Sequence, residues 1–302
     1  MYKDFYGLKE SPFSIQPDPD FLYFGRRHSY AYAMMKHGIK DRSNFIVISG
    51  EVGCGKTTLV RHLLNDWGSD LTVGLVYNTH RDIGDLFEWI MLALGLPYDG
   101  LSRQALESVF QKYLLEQHGM GKTVLLIIDE AHNINLDALE SLRSLLRLNT
   151  DERQLLQIML IGQPELRSML SQLELTQFSK RIGVDFHIKP LEETDVQAYI
   201  QHRLKIAGRE APLFTTEACA KIAAVTKGVP RRINVLCSTA LMYGFSAEAD
   251  RIDVDLIDEV LNDKAEYGAV SNPDDQWDHN NAEQMGSASQ PFVSQLTGPG
   301  ST

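Results

Sequence analysis

The stretch Gly50-Glu51-Val52-Gly53-Cys54-Gly55-Lys56-Thr57-Thr58 carries, within a few residues, the groups needed to hold a polyphosphate. Its glycines let the backbone wrap until successive N–H groups face one anion, and the helix expected from Thr58 to Trp67 adds the positive end of its dipole. Lys56 would place a point charge against the β- and γ-phosphates. The Thr57 hydroxyl would complete the shell of a Mg²⁺ ion bridging them. A Gly-rich turn with no ligand would need neither the lysine nor the threonine, and the apolar run Phe45–Ile48 supplies the strand that such a cradle must follow.

Other chemistry-bearing residues gain meaning from this loop. The run Thr123–Ile128 is apolar on both faces and ends in Asp129-Glu130. Carboxylates at that strand end would lie beside the loop, Asp129 ordering the metal shell through water and Glu130 taking a proton from an attacking water. Without the loop the pair would read as a solvated acidic turn. A second buried run, Leu155–Ile161, leads to Gly162-Gln163-Pro164-Glu165. Gln163 could orient that water or touch the γ-phosphate, and its competitor is a helix-initiating turn. Lys180-Arg181 reads locally as solvated surface. Arg231-Arg232 follows Gly228-Val229-Pro230 and can point one guanidinium back towards a nucleotide.

The elements that must position these residues alternate. Short β-rich runs (45–48, 73–77, 123–128, 155–161, 184–188) are separated by amphipathic segments, of which 82–94, 102–118 and 136–148 show helical periodicity. That alternation predicts an α/β doubly wound parallel sheet with its ligand at the carboxyl ends of the strands. After Pro190 only helices are expected: 192–207, 215–227, 230–245 and 254–263. The predicted organisation is a Pro- and aromatic-rich strap over 1–26, an α/β nucleotide-binding domain over 27–190, a small all-α domain over 191–263 and a polar disordered tail over 264–302. Regular helix is not expected in the strap, whose aromatics would pack on the next domain or on a base.

The chain has 302 residues, a net charge of −11 and 43% apolar residues. Its apolar content is enough for a full core, while its acidity lowers the prospect of a nucleic-acid binder. No run is long enough to span a membrane and the N-terminus lacks the apolar core of a signal peptide, so a cytoplasmic protein is expected. Cys54, Cys219 and Cys237 lack metal-ligand spacing and read as buried or incidental thiols, with Cys54 in the loop a candidate for sensitivity to thiol reagents. No Asn-Lys-x-Asp stretch is present, which disfavours a GTPase.

Taken in order, the loop, the Asp-Glu strand, the polar strand end, the basic pair and the helical domain with Gly-Val-Pro-Arg resemble the P-loop NTPases of the AAA+ type. More narrowly, the opening Phe5-Tyr6-Gly7-Leu8 with its Pro-Asp-Pro and Phe-Leu-Tyr, Asp129-Glu130-Ala131-His132, Gly162-Gln163-Pro164-Glu165-Leu166 and Gly228-Val229-Pro230-Arg231-Arg232-Ile233-Asn234 resemble the ExeA/GspA-like secretion ATPases. Within these the sequence is most similar to the branch found with exopolysaccharide and exosortase (PEP-CTERM) clusters of Gram-negative bacteria.

The resemblance implies ATP and Mg²⁺ as ligands, Walker A at Gly50–Thr57, Walker B at Asp129 and Glu130 as catalytic base. It also implies sensor 1 at Gln163, an arginine finger at Arg181 acting on a neighbouring subunit, sensor 2 at Arg231 and an ATP-dependent homo-oligomer, commonly a hexamer, as ring or filament. His132 stands where many relatives have glutamine. Secretion members continue into a membrane span and a periplasmic module where this sequence has a polar tail, so direct membrane insertion is not expected and an unidentified envelope-assembly partner is. The rival reading from another class is an ATP-dependent DNA-binding regulator of the transposition-helper or loader type.

Overall fold

The computed structural model describes residues 1–77, 86–150, 153–172 and 180–267, the last of these with side chains to residue 263. Five strands, β1 (Phe45–Gly50), β2 (Leu71–Val76), β3 (Thr123–Ile128), β4 (Leu156–Gly162) and β5 (Ile182–Ile188), form one sheet in the order β2-β3-β4-β1-β5. Every neighbouring pair is parallel. Parallel pairing requires crossovers, and α2 (Arg26–Lys40), α3 (Lys56–Asn65), α4 (Leu86–Ala93), α5 (Arg103–Gly119), α6 (Leu136–Leu145) and α7 (Pro164–Leu170) cover the two faces.

The strand period of two divides the core. In β3, Val124, Leu126 and Ile128 point into a cluster with Phe87, Phe110 and Leu142 from α4, α5 and α6, whereas Leu125 and Ile127 point into a cluster with Met35 of α2 and Leu59 and Leu63 of α3. Both clusters are closed to water, which explains why β3 reads as an unbroken apolar run from Val124 to Ile128 rather than an alternating one, while β4 buries Gln157 with its amide donating to the Gly38 and Ser43 carbonyls.

Beyond β5 the chain forms α8 (Glu193–Ile206), α9 (Thr216–Thr226), α10 (Pro230–Ser246) and α11 (Val254–Tyr267). Thr215 caps α9 by accepting from the Ala218 N–H, and Pro230 opens α10, where its missing N–H costs nothing. Helix α11 continues past residue 263, the expected end of the helical domain; residues 268–302, with most of the expected tail, lie outside the described residues.

The first 25 residues depart from the expected irregular strap in two places. A short helix α1 (Tyr2–Tyr6) closes on Gly7, whose φ of 67° is the left-handed end of a helix, and a 3-10 turn covers Pro19–Phe21. The three prolines act later in the segment, so the first turn is free to form. Tyr6, Leu8, Phe13 and Phe21 are buried among α8–α11 and complete a third core. The strap is therefore part of the helical domain although the whole sheet separates them in sequence.

Candidate nucleotide site

Strand β1 delivers the chain to Gly50 and α3 begins at Lys56, so residues 51–55 turn between a buried strand and a helix start. Gly55, the N-cap, stands at φ 87° and no side chain caps α3, which leaves the first-turn N–H groups directed out of the helix for an anion to accept. Lys56 is 6% exposed, and its ammonium donates to the carbonyls of Gly50 (2.8 Å) and Glu51 (3.0 Å). The lysine is thus held across the loop. Glu51 and Val52 are exposed at its rim.

Asp129 belongs to the next part of the site. Its N–H donates to the Val76 carbonyl, continuing the β2–β3 ladder by one bond, and this places its carboxylate against α3. Thr57 Oγ1 donates to Asp129 Oδ2 at 3.0 Å. A hydroxyl and a carboxylate so paired make a sparse oxygen donor set, which suits Mg²⁺ because that ion keeps most of its shell for water and substrate phosphates. Among the described residues no cluster of three or more His, Cys, Asp or Glu could hold a metal by itself. The residues present fit a Mg²⁺ ion that arrives with a phosphate.

Glu130 turns away from the β3 direction at φ 52°, with its N–H donating to Asp129 Oδ1 at 2.9 Å. Its Oε2 lies 3.3 Å from Nδ1 of His132, which sits on the 3-10 turn Ala131–Asn133. The backbone N of Gln163, at the end of β4, is 3.4 Å from the same nitrogen. Strands β3 and β4 are neighbours, so their carboxyl ends bring Glu130, His132 and Gln163 together.

The helical domain reaches the loop through α10. Arg231, in its first turn, donates its N–H to the Gly53 carbonyl at 3.2 Å, so a phosphate-loop carbonyl satisfies one of the orphan donors of that helix. Gly53 is at φ 78°, and a Cβ there would come within 2.5 Å of Arg231 Cβ. Only glycine allows the two backbones to approach this closely.

Arg181 is elsewhere. Phe45 pairs with Ile182 and Gly50 with Ile188, so Arg181 is exposed at the amino end of β5 while the loop is at the carboxyl end, roughly 20 Å of strand away. It lies out of reach of the loop in its own chain. Phe178 and Ser179, which precede it, are outside the described residues.

Two features were not legible beforehand. His28, 3% exposed in the first turn of α2, bonds through Nε2 to the Cys54 carbonyl at 2.8 Å and props the loop from beneath. Burial pushes its pKa below the usual 6.5. A single histidine opening an amphipathic helix gave no signal of this. Arg61, one turn beyond Thr57, donates to the Pro17 carbonyl at 3.3 Å and ties the strap to α3. The expected thiol sensitivity of Cys54 is corrected: the side chain is fully buried and its pKa is raised to about 11, so little thiolate exists at neutral pH.

The chain has the fold of the AAA+ P-loop ATPases. Residues 39–170 match the AAA domain family. The chain is 39% identical over 253 residues to general secretion pathway protein A of Aeromonas hydrophila, an alignment covering 83% of this chain and 46% of that one. It therefore spans a little under half the length of that relative. In fold it is similar to the Aeropyrum pernix ORC1 protein in complex with DNA (TM-score 0.62, 18% identity, 85% of this chain and 71% of the other). It is also similar to the Thermotoga maritima RuvB Holliday junction branch migration motor (TM-score 0.51, 16% identity, 80% and 70%). Among the described residues no helix is long and apolar enough to cross a membrane.

Proposed function

We propose that this ATPase hydrolyses ATP to ADP and phosphate at interfaces between its own subunits, and uses the cycle to assemble or remodel a secretion or exopolysaccharide machine of the cell envelope. The observation that carries the catalytic part is the Thr57–Asp129 bond beside the buried Lys56, a candidate metal and phosphate site drawn from the carboxyl ends of β1 and β3, which flank β4 in the sheet. Residues Gly50–Thr58 bind the phosphates through N–H groups and the Lys56 charge, Thr57 and Asp129 hold Mg²⁺, and Gln163 faces the γ-phosphate. The ion supplies charge neutralisation of the phosphates. Water attacks the γ-phosphorus, the bond to the bridging β–γ oxygen breaks, and the water proton passes to Glu130.

Arg231 contacts the nucleotide from the helical domain and couples its position to the loop. Arg181, exposed and distant from its own loop, stabilises transition-state charge on a neighbour's nucleotide, which requires a closed ring or a filament. The envelope role rests on similarity to the Aeromonas secretion protein. The DNA-binding alternative draws on structural neighbours alike only in fold, and the net charge of −11 weighs against it.

The test is mass by light scattering without nucleotide and with Mg·ATP, for wild type and Glu130→Gln, with and without duplex DNA at two salt concentrations. Assembly that needs ATP, persists in Glu130→Gln and ignores DNA is expected. Assembly that requires DNA and weakens with salt would replace this reading by the DNA-binding one.

A further inference from the structure

The carbonyls of the loop after β1 are held from several elements. The Lys56 ammonium donates to those of Gly50 and Glu51, the Arg231 N–H to that of Gly53, and the Leu59 N–H, one turn into α3, to that of Gly55. The Cys54 carbonyl accepts instead from a side chain distant in sequence, Nε2 of His28 at 2.8 Å. A carbonyl only accepts, so Nε2 carries the ring proton. Nδ1 is buried and has no hydrogen-bond partner among the described residues. A second proton there would charge a side chain that is closed to water and stands in the first turn of α2, at the positive end of that helix. The ring is therefore a neutral donor with a single task.

That task fixes more than a carbonyl. In a trans peptide the C=O of one residue and the N–H of the next share a plane and point in opposite directions, and the described residues contain no cis bond. With the Cys54 oxygen drawn towards α2, the Gly55 N–H is turned to the opposite side of the loop. Gly55 is the N-cap of α3 and no side chain caps that helix, so its N–H joins the orphan donors of Lys56, Thr57 and Thr58. We propose that His28 is a positioning residue for phosphate: its Nε2–H locks the Cys54–Gly55 peptide so that the N–H, and not the carbonyl, is presented to the anion. This rests on the loop being the phosphate site of the proposed reaction.

The consequence is electrostatic. Glycine at φ 87° offers the peptide unit little steric resistance to rotation, so the loop alone does not hold it. A rotated unit would set the Cys54 oxygen, the negative end of a peptide dipole, against the phosphates. The loss would fall on Mg·ADP and Mg·ATP alike and on affinity rather than on the rate of bond cleavage.

The experiment reads that peptide directly. Cys54-Gly55 is the one Cys-Gly pair in the sequence, so cysteine labelled with ¹³C at its carbonyl and glycine labelled with ¹⁵N isolate the Gly55 N–H in NMR of the full chain. Its signal is followed without nucleotide and with Mg·ADP in wild type, His28→Gln and His28→Leu, beside affinities for Mg·ADP and Mg·ATP from titration with a fluorescent nucleotide. Glutamine carries an N–H as many bonds from its Cα as Nε2 is in histidine, whereas leucine fills the space without a donor. In wild type and His28→Gln the Gly55 N–H should shift on addition of Mg·ADP, with affinities within about threefold of each other. His28→Leu should bind both nucleotides roughly five- to tenfold more weakly, as for loss of one neutral hydrogen bond, with kcat at saturating ATP within about twofold.

A His28→Leu protein that binds as wild type does, a His28→Gln protein as weak as His28→Leu, or a Gly55 N–H indifferent to nucleotide that wild type binds would overturn the proposal. Should His28→Leu fail to fold, the affinity of His28→Gln and the wild-type Gly55 signal decide. A wild type that binds no nucleotide would instead remove the proposed function, and this proposal with it, an outcome distinct from tight binding beside an indifferent Gly55 signal.

Discussion

Lys56 is held by two loop carbonyls, so its removal deletes the one buried cation of the cradle and leaves those carbonyls without their donor. Lys56→Ala should lower affinity for Mg·ATP by about two orders of magnitude, the size expected for a charged hydrogen bond of ~3 kcal/mol, read by titration with a fluorescent nucleotide. Glu130→Gln should bind nucleotide as wild type does and fail to turn it over; normal turnover sinks the base assignment. These side chains were legible as candidates because each would act through its type at a fixed offset from a glycine loop or a strand end. His28 and His132 were not given roles beforehand, since each meets a carbonyl or carboxylate delivered by folding.

At the scale of elements, the contact between α10 and the loop after β1 is one of those that join the helical part of the chain to the sheet. Gly53→Ala would force a methyl group against Arg231 Cβ and hold alanine in left-handed backbone at about 1–2 kcal/mol. The helical domain should then move off the loop, with nucleotide affinity falling about tenfold or more, measurable by calorimetry. The seating of α2 under the loop makes a pH prediction. His28 is neutral in the fold with its pKa depressed by burial, and His187 and His202 are shifted the same way. Because the unfolded chain binds more protons below the ordinary value of 6.5, stability should fall as pH drops through that value towards the lower folded pKa. Urea unfolding between about pH 7.5 and 5 should show this slope, and His28→Gln should flatten part of it.

For the molecule as a whole, the strap decides how the parts are joined. The buried Arg203 guanidinium donates to the Pro12 and Ser14 carbonyls and lies over the Phe21 ring, while Arg61 holds Pro17 from the other domain. Arg203→Ala should cost about 2–4 kcal/mol, the scale of losing charged hydrogen bonds to buried carbonyls, and should make residues 10–17 sensitive to limited proteolysis. Assembly supplies the other whole-molecule prediction. Arg181→Ala and Lys56→Ala should each be inactive alone, and mixing them should restore part of the turnover if Arg181 serves a neighbour's site; no recovery would argue against the finger in trans. The sequence by itself determined the parallel sheet and marked the candidate phosphate and metal ligands at its carboxyl ends, because apolar runs, glycines and strand-end carboxylates are local signals. Only the tertiary structure decided that the strap belongs to the far helical domain, that α10 docks on Gly53, and that one histidine nitrogen lies between Glu130 and Gln163. Those contacts join residues distant in the chain through backbone carbonyls and N–H groups, which every residue carries and no sequence pattern distinguishes.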